Sequence, residues 1–237
     1  YITFADSDDW NHPCRIEVAL NELIENDAYM THGRYIRMKA DGSMDIDGGR
    51  PARFSLVSMF WRTSILKEEL GGFDGRARFS ADSELYERAR AFYGTNLIMR
   101  NNRVEVIALS HASSLTGSGS TAIDWLGPGP SRLRYVSGYR RWHDKIKNSD
   151  MPPILDSEPS FPKPSRDNPP EKFAFVNKLE SLFNYSPKKH AISQQPQLET
   201  TPQEEITIGM ATYPGGFSTL RETVESLIQQ SLPFTRL

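Results

Sequence analysis

Tyr1-Ile-Thr-Phe-Ala-Asp-Ser-Asp-Asp-Trp10 opens the chain. Residues 1–5 read as a buried strand, and three carboxylates, Asp6, Asp8 and Asp9, follow it at once. In open α/β sheets, ligands bind outside the carboxyl ends of strands. Residues 6 and 8 point the same way if the chain stays extended. Two such oxygens can hold Mg²⁺ or Mn²⁺ and leave coordination positions for water and phosphate oxygens. The plainer reading is an acidic turn, with Asp9 near a helix N-terminus where the macrodipole favours a negative charge.

Working outward, residues 1–148 mix apolar runs, charges and glycine turns as an α/β domain does. Asn11 is read as an N-cap, with Pro13 in the first turn of a helix reaching about Asn26. Its apolar face is Ile16, Ala19, Leu20, Leu23 and Ile24. Strands are expected over 29–38, where His32-Gly33 is a candidate interruption, and over 53–62. Leu70-Gly-Gly-Phe-Asp-Gly75 reads as a turn. A helix is expected over 82–93, strands near 96–100 and 103–109, and a long helix over about 131–147.

A second chemical candidate is Phe79-Ser-Ala-Asp-Ser-Glu-Leu-Tyr-Glu-Arg88, which opens a helix. Asp82 there is either a plain N-cap or a carboxylate that takes a proton from a hydroxyl nucleophile; Glu84 is the alternative base. The composition then changes. Residues 151–205 hold 10 of the 16 prolines, a density that blocks regular ladders and favours an extended linker. Within it, residues 171–185 (EKFAFVNKLESLFNY) have apolar residues at helical spacing and read as an amphipathic helix. From Glu205 a strand, Ile206-Thr-Ile-Gly-Met-Ala211, is followed by a turn and a helix over about 217–230.

Taken in order, Tyr1 to Pro13, Ser58-Met-Phe-Trp-Arg62, Gly71-Gly-Phe-Asp-Gly75 and Ala81-Asp-Ser-Glu-Leu85 with Arg88 resemble a family 2 glycosyltransferase of GT-A fold. The resemblance implies that Asp6 and Asp8 bind the metal, Mn²⁺ or Mg²⁺, and a nucleotide-diphospho-sugar donor such as a UDP-sugar. It maps the general base to Asp82, although the residue before it is Ala81 where such enzymes often carry Glu. His111, after Val106-Ile-Ala-Leu-Ser110, falls where many members place a further metal ligand; a histidine after a strand is also an ordinary surface or capping residue. Ile206 to Pro214 resembles the family's first strand and nucleotide loop, with Thr212 and Tyr213 as the contacts to the base. The order is unusual for one domain, since the acidic segment comes first and the nucleotide loop last. The expectation is therefore a piece of a tandem-domain transferase of the kind that builds bacterial polysaccharides. It would comprise the back half of one GT-A domain (1–148), a Pro-rich linker (149–205) and the start of a second domain (206–237), with little transfer activity of its own.

The composition sets limits. Twenty-eight Lys and Arg against 30 Asp and Glu give a formal net charge of −2, which does not suit a nucleic-acid partner. No apolar run approaches the roughly 18–20 residues of a membrane span. The lone cysteine, Cys14, excludes an internal disulfide framework. Cysteine scarcity points to the cytoplasm, with the inner membrane face, where polysaccharides are assembled, as a further location, and the resemblance implies a glycan or lipid-linked acceptor. Tyr139 to Lys147 (YRRWHDKIK) is either a basic-aromatic surface for peripheral membrane contact or a solvated helix face with Tyr139, Trp142 and Ile146 packed inward. Two further functions stand beside transfer: a non-catalytic interaction module whose acidic turn is a Ca²⁺ site or a cap, and a metal-dependent phosphohydrolase using Asp6 and Asp8.

Overall fold

The computed structural model describes residues 1–46, 49–75, 77, 79–110, 123–124, 127–147, 153–154, 205–211 and 217–231. His111, Thr212, Tyr213 and the helix expected over 171–185 lie outside the described residues, as does most of the Pro-rich stretch.

The fold is mixed α/β. Strands β1 (Ile2–Asp6), β2 (Trp10–Asn11), β3 (Met30–Met38), β4 (Ala52–Phe54), β5 (Phe60–Trp61), β6 (Ile98–Leu109) and β9 (Thr207–Ala211) form one seven-stranded sheet. Its order is β2-β6-β3-β5-β1-β9, with β4 paired to β3 off that path. A small ribbon, β7 (Ile123–Asp124) with β8 (Gly127–Pro128), stands apart. Helices are α1 (Arg15–Glu25), α2 (Ala81–Tyr93), α3 (Pro130–Lys147) and α4 (Phe217–Ile228). β3 runs parallel to β6, and β1 parallel to β9, while β5 is antiparallel to both β1 and β3. β1 and β3 therefore end at the same edge of the sheet.

Period-two alternation divides the core between the two faces of the sheet. Ile2, Phe4, Met30 and Ile98 pack with Leu85, Tyr86 and Ala89 of α2. Ala5, Phe60, Ile206 and Ile208 pack with Ile16, Ala19, Leu20 and Leu23 of α1 and Leu227 of α4. α3 is fixed over α2 by Tyr135 and Tyr139, which pack with Ala77 and Phe79. Each fully buried Leu or Ile is worth about 1.5–3 kcal/mol, so the apolar periodicity accounts for where the helices sit.

Several boundaries differ from the sequence reading. Asn11 is not an N-cap: it belongs to β2, and its Oδ1 accepts from the buried Arg15 guanidinium. α1 begins after Cys14, whose backbone N–H donates to His12 Nδ1 at 3.1 Å, so an imidazole serves the helix end instead. Ile24, expected on the apolar face, is 48% exposed. Asp82 is not the cap of α2 either: Ser80 holds that position, with a left-handed φ of 57°, which places Asp82 within the first turn. The strand expected over 53–62 is broken by a 3₁₀ turn at Leu56–Ser58. The two short strands expected near 96–109 are one, β6. His32-Gly33 does not end β3, but the β3–β6 register slips there.

The C-terminal piece contributes a strand to the same sheet. β9 lies in register beside β1, Ile2 against Thr207 through Asp6 against Ala211, within the sheet formed by the N-terminal block. Parallel pairing needs proximity, not sequence order. Among the described residues no helix is long and apolar enough to cross a membrane.

Candidate functional site

The acidic turn is clamped from two sides. Beneath it, Arg15 is fully buried and donates through Nη2 to Thr3 Oγ1 at 2.5 Å, Phe4 O at 2.6 Å and Ser58 O at 3.3 Å. Behind it, α4 and the residues just after it reach across: Thr223 Oγ1 donates to Ser7 O at 2.8 Å, and Gln230 Nε2 to His12 O at 2.9 Å. The Asn11 backbone N–H donates to Ser226 Oγ at 3.3 Å. Bonds to both the strand and α4 leave this loop little freedom, and that gives its carboxylates fixed positions.

Asp6 continues the Ile2, Phe4 alternation and so lies on the α2 face of the sheet. It and Asp8 are half-buried, while Asp9 is only 6% exposed. Burial, then the charges of Asp8 and Asp82, raise the Asp6 carboxyl from the ordinary 3.8 to about 7, against the pull of Arg37. Asp9 is raised to about 8 by burial, then by Asp6 and Asp8, although it accepts from the Leu109 backbone N–H. Asp82 is half-buried, and burial raises its carboxyl too, opposed by Ser83 and by the Arg132 charge. Arg132 is held in place by donating to Ser80 Oγ at 2.5 Å and by lying over the Phe79 ring. Asp6, Asp8 and Asp82 are thus grouped at the carboxyl end of β1, near enough for Asp6 to respond to both others. Each keeps an opening to solvent.

Glu84 does not join them. It is fully buried, with Arg88 Nη2 donating to its Oε2 at 3.0 Å, Arg88 Nε 3.0 Å from its Oε1, and His143 Nε2 3.0 Å from the same oxygen. Arg88 also donates to Leu70 O, to Gly72 O at 2.7 Å and to Pro153 O at 3.0 Å. Glu84 therefore anchors a helix and a turn, and its burial removes it from the role of solvent-facing base. The same pairing explains Tyr139 to Lys147: Tyr139, His143 and Ile146 point into the fold and Trp142 is half-buried.

A cavity of about 190 Å³ adjoins the turn. Asp8, Asp9, Trp10, Met38, Ile107, Leu109, Glu222 and Thr223 line it, so it joins two carboxylates to a largely apolar wall. Sequence reasoning did not single out Asp9, Arg37, Arg132 or Thr223 as site residues. Asp9 was visible as the third carboxylate of the run; the other three carry no local signal, because only tertiary pairing brings them here.

The donor set of Asp6 and Asp8 is chemically apt for a hard divalent cation. Paired carboxylates that repel one another are relieved by positive charge. Among the described residues, however, no three His, Cys, Asp or Glu side chains converge into a complete cage. A cation here would need to keep most of its coordination on water and ligand oxygens.

Neither protein-family models nor curated proteins give a match to this chain.

Proposed function

We propose that the chain carries part of the active site of a metal-dependent, inverting glycosyltransferase of GT-A type, which moves a sugar from a nucleotide diphosphate to a hydroxyl acceptor. The observation that carries this reading is that Asp6, on the α2 face of the sheet, lies within electrostatic reach of both Asp8 and Asp82, with Asp82 entering from a separate helix. Two roles need two positions: carboxylates for the donor at a strand end, and a lone carboxylate across from them for the acceptor.

In this reading Asp8, with Asp6, would hold Mn²⁺ or Mg²⁺, and the ion would supply positive charge to offset the negative charge of the donor's diphosphate. Asp82 accepts the proton of the acceptor hydroxyl. Its raised pKa makes it a stronger base than a free carboxylate, while Arg132 keeps the charged form accessible. Arg37 offsets part of the negative charge on Asp6 and Asp9. Ala211, the register partner of Asp6, is followed directly by Thr212 and Tyr213. That adjacency supports their assignment to the nucleotide base, with the 206–237 segment serving the same sheet as the acidic turn.

Calorimetry with UDP tests the proposal. Binding is expected in the presence of Mn²⁺, is expected to vanish with EDTA, and is expected to be lost in Asp8→Ala. Asp82→Asn should bind UDP normally. Metal-independent binding, or none, would favour an interaction module in which the acidic turn is structural.

A further inference from the structure

Farther along the same face of the sheet, three arginines and two aromatic rings alternate. Arg34 lies over Phe54 at 5.0 Å, Arg100 lies 5.3 Å from Phe54 and 5.5 Å from Tyr86, and Arg90 lies over Tyr86 at 5.5 Å. Cation–π pairs occur about once per 70–80 residues, so four sharing two rings form a cluster rather than background. None of the three guanidinium groups meets a carboxylate among the described residues; Arg34 donates only to the neutral Asn102, at 3.1 and 2.8 Å. Arg100 and Phe54 are exposed.

Beneath the ladder lies His32, 1% exposed, with its ring 5.3 Å from both Phe54 and Tyr86. Its Nδ1 is 3.1 Å from Gly33 O. A carbonyl only accepts, so Nδ1 carries the proton. Burial, with Arg100 nearby, lowers the ring to about 4 and keeps it neutral. Nε2 is then a bare acceptor, and it has no partner. Tyr86 Oη and Arg90 Nε are buried and unpartnered too. These atoms are enclosed, and His32 and Tyr86 form the packed base on which Phe54 and Arg100 rest.

We propose that this ladder binds an acidic oligosaccharide. A uronate-type sugar brings what the open groups lack: a carboxylate for Arg90 and Arg100 and a C–H face for the exposed ring of Phe54. The placement also gives the ligand a task. Asp82, Tyr86 and Arg90 recur every four residues on α2, so Tyr86 and Arg90 lie about 6 and 12 Å along the axis from Asp82. A glycan seated on the ladder would lead back to Asp82 and present its terminal hydroxyl there. The acceptor role rests on the transferase reading above; the binding of an acidic glycan does not.

The test is titration of the whole chain with an oligogalacturonate, a neutral malto-oligosaccharide of equal length and a single-stranded oligodeoxynucleotide. The oligogalacturonate is expected to bind at least about tenfold tighter than either control. Arg90→Gln and Arg100→Gln should each weaken it about tenfold, the worth of one charge-assisted hydrogen bond, and added salt should weaken it further. Equal binding of the neutral sugar, tighter binding of the oligonucleotide, or indifference to both arginine variants would overturn the proposal. Asp8→Ala should leave oligogalacturonate binding intact while abolishing Mn²⁺-dependent UDP binding, so failure of the glycan site and failure of the transferase reading appear in different measurements.

Discussion

Asp6 and Asp9 make the acidic turn costly for the fold. In the folded protein their carboxyls sit at about 7 and about 8, against an ordinary 3.8. Between about pH 4 and pH 8 the folded chain therefore holds protons that the unfolded chain has released. Stability must fall as pH rises through that window. Asp6→Asn is expected to flatten the decline and raise the melting temperature at pH 8, with little change at pH 4; thermal melts across pH check this. Mn²⁺ should stabilise the wild-type chain at pH 8 and do little at pH 5, where protons compete for the same oxygens. Glu84 behaves differently. Glu84→Gln leaves Arg88 buried without its counter-charge and should cost about 3–5 kcal/mol in chemical denaturation, while Asp82→Asn, in a half-open position, should cost far less. The sequence showed both carboxylates in one helix turn but not which one stayed open to solvent. That depends on Arg88 and His143, and the partner histidine comes from a helix 59 positions further along.

Among the elements, α1, α2, α3 and α4 were legible because their apolar residues recur at helical spacing and bury against the sheet. The start points of α1 and α2 were not, since His12 and Ser80 serve as end groups in conformations that no propensity encodes. β3 shows the same limit. Its length was clear, but the slip in its pairing comes from a close approach. A Cβ on Gly33 would lie 2.3 Å from Glu105 Cδ, a distance at which something must move. Gly33→Ala is expected to lower stability by about 1–3 kcal/mol, as overpacking does, and Glu105→Ala in the same chain should relieve part of that loss. For α4, Thr223→Val removes the bond to Ser7 O. A loss of about 1 kcal/mol is expected, together with weaker Mn²⁺ binding, because the turn loses its rear support. Urea denaturation and metal titration of the same variant separate the two effects.

At the scale of the whole molecule, one sheet carries both ends of the described chain. The acidic segment and the strand read as a nucleotide-loop strand were legible separately. Their pairing was not, because strand partners separated by about 200 positions leave no local mark, and period-two patterns fix which face is buried rather than which neighbour is chosen. The site inherits that arrangement. β1 supplies Asp6 and the turn, α2 supplies Asp82, α4 holds the turn from behind, and the arginine ladder extends the same face outward. The central claim is that Asp8 and Asp82 serve one reaction from opposite sides. Its most direct test is calorimetric titration of UDP with Mn²⁺ into the wild-type chain, Asp8→Ala and Asp82→Asn. Metal-dependent binding that is lost in Asp8→Ala and preserved in Asp82→Asn is the expected result; binding that ignores Mn²⁺ and survives Asp8→Ala would contradict it.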